Sequence, residues 1–167
     1  TRSATVSMYV GAGSRYEPDE EAGLSHFLEH MLFKGASRRP TAREISEAIE
    51  SVGGSHNAAT DRELTVYYAK VPHTAAMETI DILADMIRAP IMDPAELEKE
   101  RSVILEELAS VEDSPGELAG ILIDETLWPG QPIGRNVGGS PDSVSSLPIS
   151  AVNAYLARQY VPENTVL

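Results

Sequence analysis

The segment His26-Phe27-Leu28-Glu29-His30 contains the side chains of this chain that are best suited to chemistry. Two imidazoles four residues apart lie one above the other on a helix face, so both rings can reach a single metal ion. The pattern H-x-x-E-H is the reverse of the H-E-x-x-H motif of zinc enzymes. Zinc held in this way keeps one coordination position open for water, and Glu29 is near enough to remove a proton from it. The motif therefore predicts zinc-assisted hydrolysis.

A catalytic zinc ion needs a third protein ligand, and a helix predicted over residues 94–111 supplies a candidate. The apolar side of this helix consists of Leu97, Ile104, Leu108 and Val111. Glu100 and Glu107 are seven residues apart and point almost the same way, inside that apolar arc. A buried carboxylate needs a cation or a metal as its partner, and the sequence offers no obvious Lys or Arg for both. We predict that Glu107 binds zinc and that Glu100 hydrogen-bonds a metal-binding histidine; the alternative is that both are solvated surface acids.

Composition limits the class of protein and the partners it can have. The chain has 167 residues and is 42% apolar and 23% charged, which is typical of one globular domain. Cysteine is absent, so histidines and carboxylates are the strong metal ligands available. A net charge of −13 disfavours nucleic-acid binding and is explained either by solubility or by attraction of cationic peptides to an acidic cleft. No apolar run approaches the roughly 20 residues of a membrane span, and no signal peptide is visible. We expect a cytoplasmic location, with the mitochondrial matrix as the alternative.

Hydrophobic periodicity and capping signals predict strands and helices without the strict βαβ order of a parallel sheet. The predicted strands are Ser3–Val10, Ser55–Thr60, residues 64–71 and a short strand that starts near residue 165. The predicted helices cover residues 22–34, 42–52, 73–89, 94–111, 117–127 and 149–160. Residues 128–147 are rich in Gly, Pro and Ser and are predicted to form an ordered loop. We predict an α+β fold, a mixed or antiparallel sheet with helices packed on one face.

Two further predicted helices have a core-facing side. The first begins at a capping box formed by Thr41 and Glu44, and its core face is Ala42, Ile45, Ala48, Ile49 and Val52. The second covers residues 73–89, and its core face is Met77, Ile80, Leu83, Ala84 and Ile87.

The chain resembles, over essentially its whole length, the pitrilysin (M16) family of zinc peptidases. The resemblance is strongest to the branch that contains mitochondrial processing peptidase and its bacterial relatives. It rests on the H-x-x-E-H motif, on Glu107 in the sequence ERSVILEE, and on the segments YVGAGSR (9–15), MLFKG (31–35), GGSHNA (53–58) and VYYAK (66–70). It implies one zinc ion bound by His26, His30 and Glu107, with Glu29 as general base. Glu100 would then be a carboxylate that contacts a zinc ligand and not the zinc ion itself. It also implies the half-domain fold of the LuxS/MPP-like metallohydrolases.

The resemblance further implies that the strand Ser55–Thr60 borders the substrate cleft. An extended peptide would pair with its free edge, with contacts from Asn57, Ala58 and Ala59. Asn57 could instead satisfy its own turn, and the residues leave the two readings open. Family members commonly carry an aromatic side chain where Ala59 stands, so any side-chain preference set at this position is in doubt.

Members of this family are built from a pair of similar domains that enclose the substrate. We therefore expect residues 1–167 to form a single zinc-binding catalytic domain, truncated at both ends, that works with a C-terminal partner domain or with a second subunit in a homo- or heterodimer. The predicted activity is that of a zinc metalloendopeptidase acting on extended peptides, and a preference for cationic peptides is left open. Two alternatives remain, namely a peptide-binding or scaffold half without turnover, and a zinc hydrolase that acts on substrates other than peptides.

Overall fold

The computed structural model describes residues 2–167 and is organised around a four-stranded antiparallel sheet. The strands are β1 (Ser3–Val10), β2 (Ser55–Thr60), β3 (Thr65–Pro72) and β4 (Thr165–Val166). Their order in the sheet is β2-β3-β1-β4, so β2 forms one edge. β1 pairs with β3 along its full length, from Ser3 opposite Pro72 to Val10 opposite Thr65. The predicted α+β class and the antiparallel sheet are confirmed.

Seven α-helices accompany the sheet in the described part of the chain. They are α1 (Leu24–Leu32), α2 (Ala42–Glu50), α3 (Ala76–Arg88), α4 (Pro94–Glu112), α5 (Pro115–Leu127), α6 (Pro141–Ser146) and α7 (Ile149–Gln159). α3 packs on β1 and β3, whereas α1 lies between β2, α4 and α7. This arrangement brings α1 and α4, the two helices that carry the predicted metal ligands, side by side.

The core lies between one face of the sheet and the helices, as strand alternation requires. On the sheet it consists of Val6, Met8, Val10, Ala58, Thr65, Tyr67, Ala69 and Val71. On α1 the buried side chains are Leu24, Ser25, Phe27, Leu28, Met31 and Leu32. The motif helix is therefore fixed by its apolar side, and its two histidines and Glu29 occupy the remaining face.

The start of α1 is set by a carboxylate from outside the helix. The Glu17 side chain accepts hydrogen bonds from the backbone N–H groups of Gly23 at 2.8 Å and Ser25 at 2.6 Å. It thereby satisfies two of the donors that a helix leaves unpaired at its first turn. Gly23 has φ of 94°, and a Cβ atom there would collide with the backbone of Gly138. These contacts explain why α1 begins two residues later than the sequence pattern predicts.

The start of α4 is encoded locally. Asp93 accepts a hydrogen bond from the Ala95 N–H at 2.7 Å, and Pro94 occupies the first helical position, as the sequence predicts. Arg101 donates to the carbonyls of Val144 and, at 2.7 Å, of Leu147, so α4 is tied to the segment around α6.

Several sequence-based predictions need correction. Met77 is 76% exposed and Val52 38% exposed, so neither is a core residue, and Ala42 is exposed too. Residues His73–Ala75 form a short 3-10 turn, so α3 begins only at Ala76, and α2 ends at Glu50, before Val52. Residues 128–147 are not wholly a loop, because they contain a 3-10 turn, Pro132–Gly134, and α6. Buried Val144 and Leu147 stabilise α6 through tertiary packing. The local sequence, rich in Gly, Pro and Ser, gives no sign of this packing.

Candidate metal centre

Three potential metal ligands meet where α1 packs against α4. The Nε2 atoms of His26 and His30 are 3.3 Å apart. The Oε2 atom of Glu107 lies 3.8 Å from the former and 3.6 Å from the latter. Among the described residues, this is the one group of three His, Cys, Asp or Glu side chains close enough to hold a metal ion together.

The spacing of these atoms fits a zinc ion. Ligand atoms about 2.0–2.1 Å from a tetrahedral zinc lie about 3.3 Å from one another. The separation of the two imidazole nitrogens has this value, and the two distances to Glu107 are slightly longer. Glu107 is 48% exposed, so its carboxylate can adjust toward an ion without disturbing the core. A set of two imidazoles and one carboxylate is also the donor combination of known catalytic zinc sites.

His30 is oriented from behind by Glu100. The Nδ1 atom of His30 lies 3.1 Å from Oε2 of Glu100. Because an ionised carboxylate only accepts hydrogen bonds, Nδ1 carries the proton and the lone pair of Nε2 points toward Glu107 and His26. Glu100 is buried, at 6% exposure, whereas the neighbouring Glu106 is exposed.

The sequence offers no obvious Lys or Arg for both Glu100 and Glu107, but the structure places a cation beside Glu100. Lys34, just beyond the end of α1, places its Nζ atom 2.6 Å from Oε1 of Glu100. The ion pair compensates the burial of this carboxylate without help from a metal. The sequence did not reveal the pair because the two residues are far apart in the chain, Lys34 just after α1 and Glu100 on α4. Glu100 therefore has a cation on one oxygen and an imidazole on the other.

His26 is held in a neutral, metal-ready form. Burial, together with the nearby charge of His30, lowers the pKa of His26 to about 4. Its Nδ1 atom is buried and has no hydrogen-bond partner within residues 2–167. A neutral imidazole offers a lone pair, which is the form that binds metals.

Glu29 lies on the same helix, between the two histidines. The Thr60 hydroxyl at the end of β2 donates a hydrogen bond to Oε2 of Glu29. Burial raises the pKa of Glu29, an effect that the Thr60 hydrogen bond and the nearby His30 partly oppose and the negative charge of Glu107 reinforces. A carboxylate whose pKa is raised toward neutrality is well suited to accept and return a proton.

A cavity of about 260 Å³ opens beside these side chains. It is lined by His26, Thr60, Ile104, Glu107, Leu108, Val111, Asn136, Val137 and Gly138. A larger apolar cavity of about 590 Å³ lies between α3, α7 and β4, but no His, Asp or Glu lines it. The chemistry therefore belongs to the smaller cavity.

The predicted substrate-binding strand is an edge strand. β2 pairs with β3 alone among the described residues. Asn57 and Ala59 are exposed, whereas Ala58 is buried at 8% exposure. The Asn57 side chain accepts a hydrogen bond from the N–H of Ala58 at 2.9 Å, so in this state it satisfies its own strand.

Two residues of the candidate site were not identified from the sequence. Thr60 contacts Glu29, and Lys34 contacts Glu100. The residues that neighbour them in the chain carry no signal for either contact.

Comparisons with known proteins identify the family and the relatives of this chain. A family model described as Insulinase (Peptidase family M16) matches residues 1–140. The chain is 37% identical over 166 residues to an uncharacterized zinc protease, YmxG, of Bacillus subtilis, covering 99% of this chain and 40% of that protein. It is 38% identical over 166 residues to a probable mitochondrial-processing peptidase subunit beta of Arabidopsis thaliana, covering 99% and 31% respectively.

The fold is also found in a solved structure. A protease structure from Helicobacter pylori superposes with a TM-score of 0.94 at 23% identity, covering 99% of this chain and 40% of that one. The α+β domain with its four-stranded antiparallel sheet has the fold of M16 domain structures. The chain belongs to peptidase family M16, with bacterial zinc proteases and mitochondrial processing peptidase beta subunits among its relatives.

The chain spans about 40% of the length of its Bacillus relative and 31% of its Arabidopsis relative. None of the helices described here combines the length and apolar character needed to cross a membrane.

Proposed function

We propose that this domain is the zinc-binding half of a metalloendopeptidase that hydrolyses extended peptides. The observation that carries the proposal is the meeting of His26, His30 and Glu107 at the spacing of zinc ligands. Family membership and the names of the relatives support it, since those relatives are described as zinc proteases and processing peptidases. The ligand and base assignments of individual residues belong to this proposal.

Each side chain has a distinct task in the proposed reaction. Zinc, when bound, lowers the pKa of a coordinated water and polarises the carbonyl of the scissile bond. Glu29 accepts a proton from the attacking water and returns it to the nitrogen of the leaving amine. Glu100 keeps His30 in the tautomer that binds metal, and Lys34 forms an ion pair with the other oxygen of Glu100.

The substrate is proposed to add a strand to the free edge of β2. Backbone groups of the peptide would pair with those of Asn57, Ala58 and Ala59, which places the chain beside Thr60 and hence beside Glu29. The Asn57 side chain must then release the Ala58 N–H to the peptide. A net charge of −13 favours cationic peptides over anionic ones.

One alternative is supported by a specific observation. The chain covers less than half of its relatives, so groups that clamp the substrate can lie in a partner domain or subunit. In that case this half binds zinc and peptide but does not turn over alone.

We propose the cytoplasm as the compartment, with the mitochondrial matrix as the alternative suggested by the Arabidopsis relative.

The two readings differ in a direct experiment. Zinc content is measured by elemental analysis while cleavage of a flexible, basic, fluorogenic peptide is followed with and without a chelator. The proposal expects one zinc per chain and cleavage that the chelator abolishes and added zinc restores. One zinc per chain without cleavage supports the alternative. Cleavage that is unchanged by complete removal of the metal contradicts the proposed function.

A further inference from the structure

Thr60 contributes to the candidate site in a way that neither the motif nor the ligand set assigns. It is the last residue of β2, it is half-buried, and it lines the cavity shared by His26 and Glu107. Its hydroxyl is within hydrogen-bonding distance of Oε2 of Glu29. Because an ionised carboxylate has no proton to give, the hydroxyl is the donor.

A second threonine lies beside that hydroxyl and offers it another acceptor. Thr65 is the cross-strand partner of Thr60 and is completely buried. Its own hydroxyl donates to the carbonyl of Ala12 at 2.9 Å, so its proton is already committed. Its oxygen lies 3.4 Å from that of Thr60, where it can only accept. The Thr60 proton therefore faces two acceptors, and the charged, closer Glu29 is the stronger one.

The backbone beneath Thr60 is held firmly. The turn between β2 and β3 closes with a hydrogen bond from the Asp61 N–H to the Leu64 carbonyl at 2.8 Å. Arg62 in this turn donates to the carbonyl of Ile133 at 3.0 Å and pairs with Asp124 on α5. These contacts tie the turn that follows Thr60 to neighbouring segments, which restricts movement of the Thr60 hydroxyl.

We propose that Thr60 is a positioning residue that fixes the carboxylate of Glu29 for proton transfer. The hydrogen bond holds Oε2 in place. The other carboxylate oxygen, Oε1, then remains available to accept a proton from the attacking water. A glutamate side chain has several rotamers, and restricting it before the reaction removes an entropic cost from the transition state. The inference rests on the proposed function for its kinetic consequence, but the contact itself can be tested without turnover.

The kinetic experiment compares wild type with two variants of Thr60 and one control variant. Each protein is loaded with zinc and measured in the form that cleaves peptide, either alone or together with its partner half. Thr60→Val keeps the shape and removes the hydroxyl, and Thr60→Ser keeps the hydroxyl. Hydrogen bonds to charged groups correspond to roughly 10- to 100-fold effects, so we expect kcat of Thr60→Val to fall by about that factor. KM and zinc content are expected to stay within about twofold, and Thr60→Ser within about threefold of wild type.

Thr79→Val is the matched control. Thr79 is buried on α3, and its hydroxyl donates to the carbonyl of Ala75 at 2.9 Å, away from the site. Its variant reports the effect of removing a buried threonine hydroxyl as such. The proposal is overturned if Thr60→Val keeps wild-type kcat, if Thr60→Ser is as impaired as Thr60→Val, or if Thr79→Val loses as much kcat as Thr60→Val.

A crystallographic readout decides the case if wild type shows no turnover. In zinc-loaded wild-type crystals, Glu29 should have one conformer with Oε2 hydrogen-bonded to Thr60. In Thr60→Val crystals, its carboxylate should be spread over two or more conformers while the metal ligands remain in place. A wild-type Glu29 that points away from Thr60, or an unchanged single conformer in Thr60→Val, contradicts the proposal whether or not peptide is cleaved.

Discussion

At the scale of residues, the candidate centre assigns different tasks to chemically identical side chains. Glu29, Glu100 and Glu107 are all glutamates, yet one contacts a threonine, one is buried between a lysine and a histidine, and one is half-exposed. Their surroundings decide their roles. The buried one orients His30, the half-exposed one can move onto a metal, and the one with a raised pKa can shuttle a proton.

Glu29→Gln tests the separation of metal binding from proton transfer. The amide has nearly the shape of the carboxylate but cannot take a proton from water. We expect zinc content to stay at one per chain and kcat to fall by at least about 100-fold. Elemental analysis and peptide cleavage, measured on the same preparation, check both parts. Hydrolysis near the wild-type rate would remove Glu29 from the mechanism.

Glu107→Gln tests the third ligand, and Glu106→Gln is its neighbour control. Both residues lie on α4, but Glu107 faces the two histidines while Glu106 is exposed elsewhere on the helix. Loss of a ligand should weaken zinc binding by more than the 10- to 100-fold typical of outer partners, so we expect at least about 100-fold for Glu107→Gln. The control should stay within about twofold of wild type. Competition with a chromophoric chelator measures both affinities, and equal affinities of the two variants would refute the assignment.

At the scale of elements, the parts of the fold with local signals were predictable from the sequence. The capping box of Thr41 and Glu44 and the cap at Asp93 begin helices where expected. β1 and β2 have their predicted bounds, because apolar alternation and flanking turn residues mark both strands. Both histidines could be placed on one helix face because i and i+4 positions coincide wherever a helix forms.

What the sequence did not predict depends on contacts between distant segments. Glu17 sets the start of α1, Lys34 pairs with Glu100, and Thr60 reaches Glu29, each across a separation that no local pattern records. α6 is a six-residue helix stabilised by its neighbours. The approach of Glu107 to the histidines could be inferred, because a carboxylate on an apolar helix side needs a reason, but its half-exposure could not.

α5 offers a stability prediction at this scale. None of its residues is buried, and a Cβ atom added at Gly120 would meet open space. Glycine inside a helix costs about 0.5–1 kcal/mol relative to alanine, so Gly120→Ala should raise the free energy of unfolding by about that amount. Urea denaturation measures the change.

Gly139→Ala is the opposite control. Gly139 has φ of 79°, and a Cβ there would collide with the carbonyl of Ala22, so this variant should lower the free energy of unfolding. If Gly120→Ala destabilised the protein as much as Gly139→Ala, the face of α5 that Gly120 occupies could not be open as described.

At the scale of the whole molecule, the proposed function depends on the net charge of the chain and on the share of its relatives' length that the chain spans. The chain has 26 acidic and 13 basic residues, and the candidate cavity lies between helices that carry several of the acids. β2 offers a free edge on one side of this cavity. The relatives extend well beyond the length matched here, and under the proposed function the longer assembly would enclose the peptide.

The charge balance predicts a salt effect on catalysis. For a cationic peptide, kcat/KM should fall by at least about threefold between low and moderately high ionic strength, because salt screens attraction between exposed charges. An uncharged peptide of the same length should change by less than about 1.5-fold. Steady-state kinetics over a salt series measure both. Equal salt dependence for the two peptides would mean that the acidic excess serves solubility alone.

The central claim is that side chains from α1 and α4 hold one zinc ion. Anomalous diffraction collected above and below the zinc absorption edge, on crystals grown with zinc, tests it most directly. The account predicts one strong peak about 2.0–2.2 Å from Nε2 of His26, Nε2 of His30 and a carboxylate oxygen of Glu107. No peak among these three side chains, or a peak with Glu107 turned away into solvent, would contradict it.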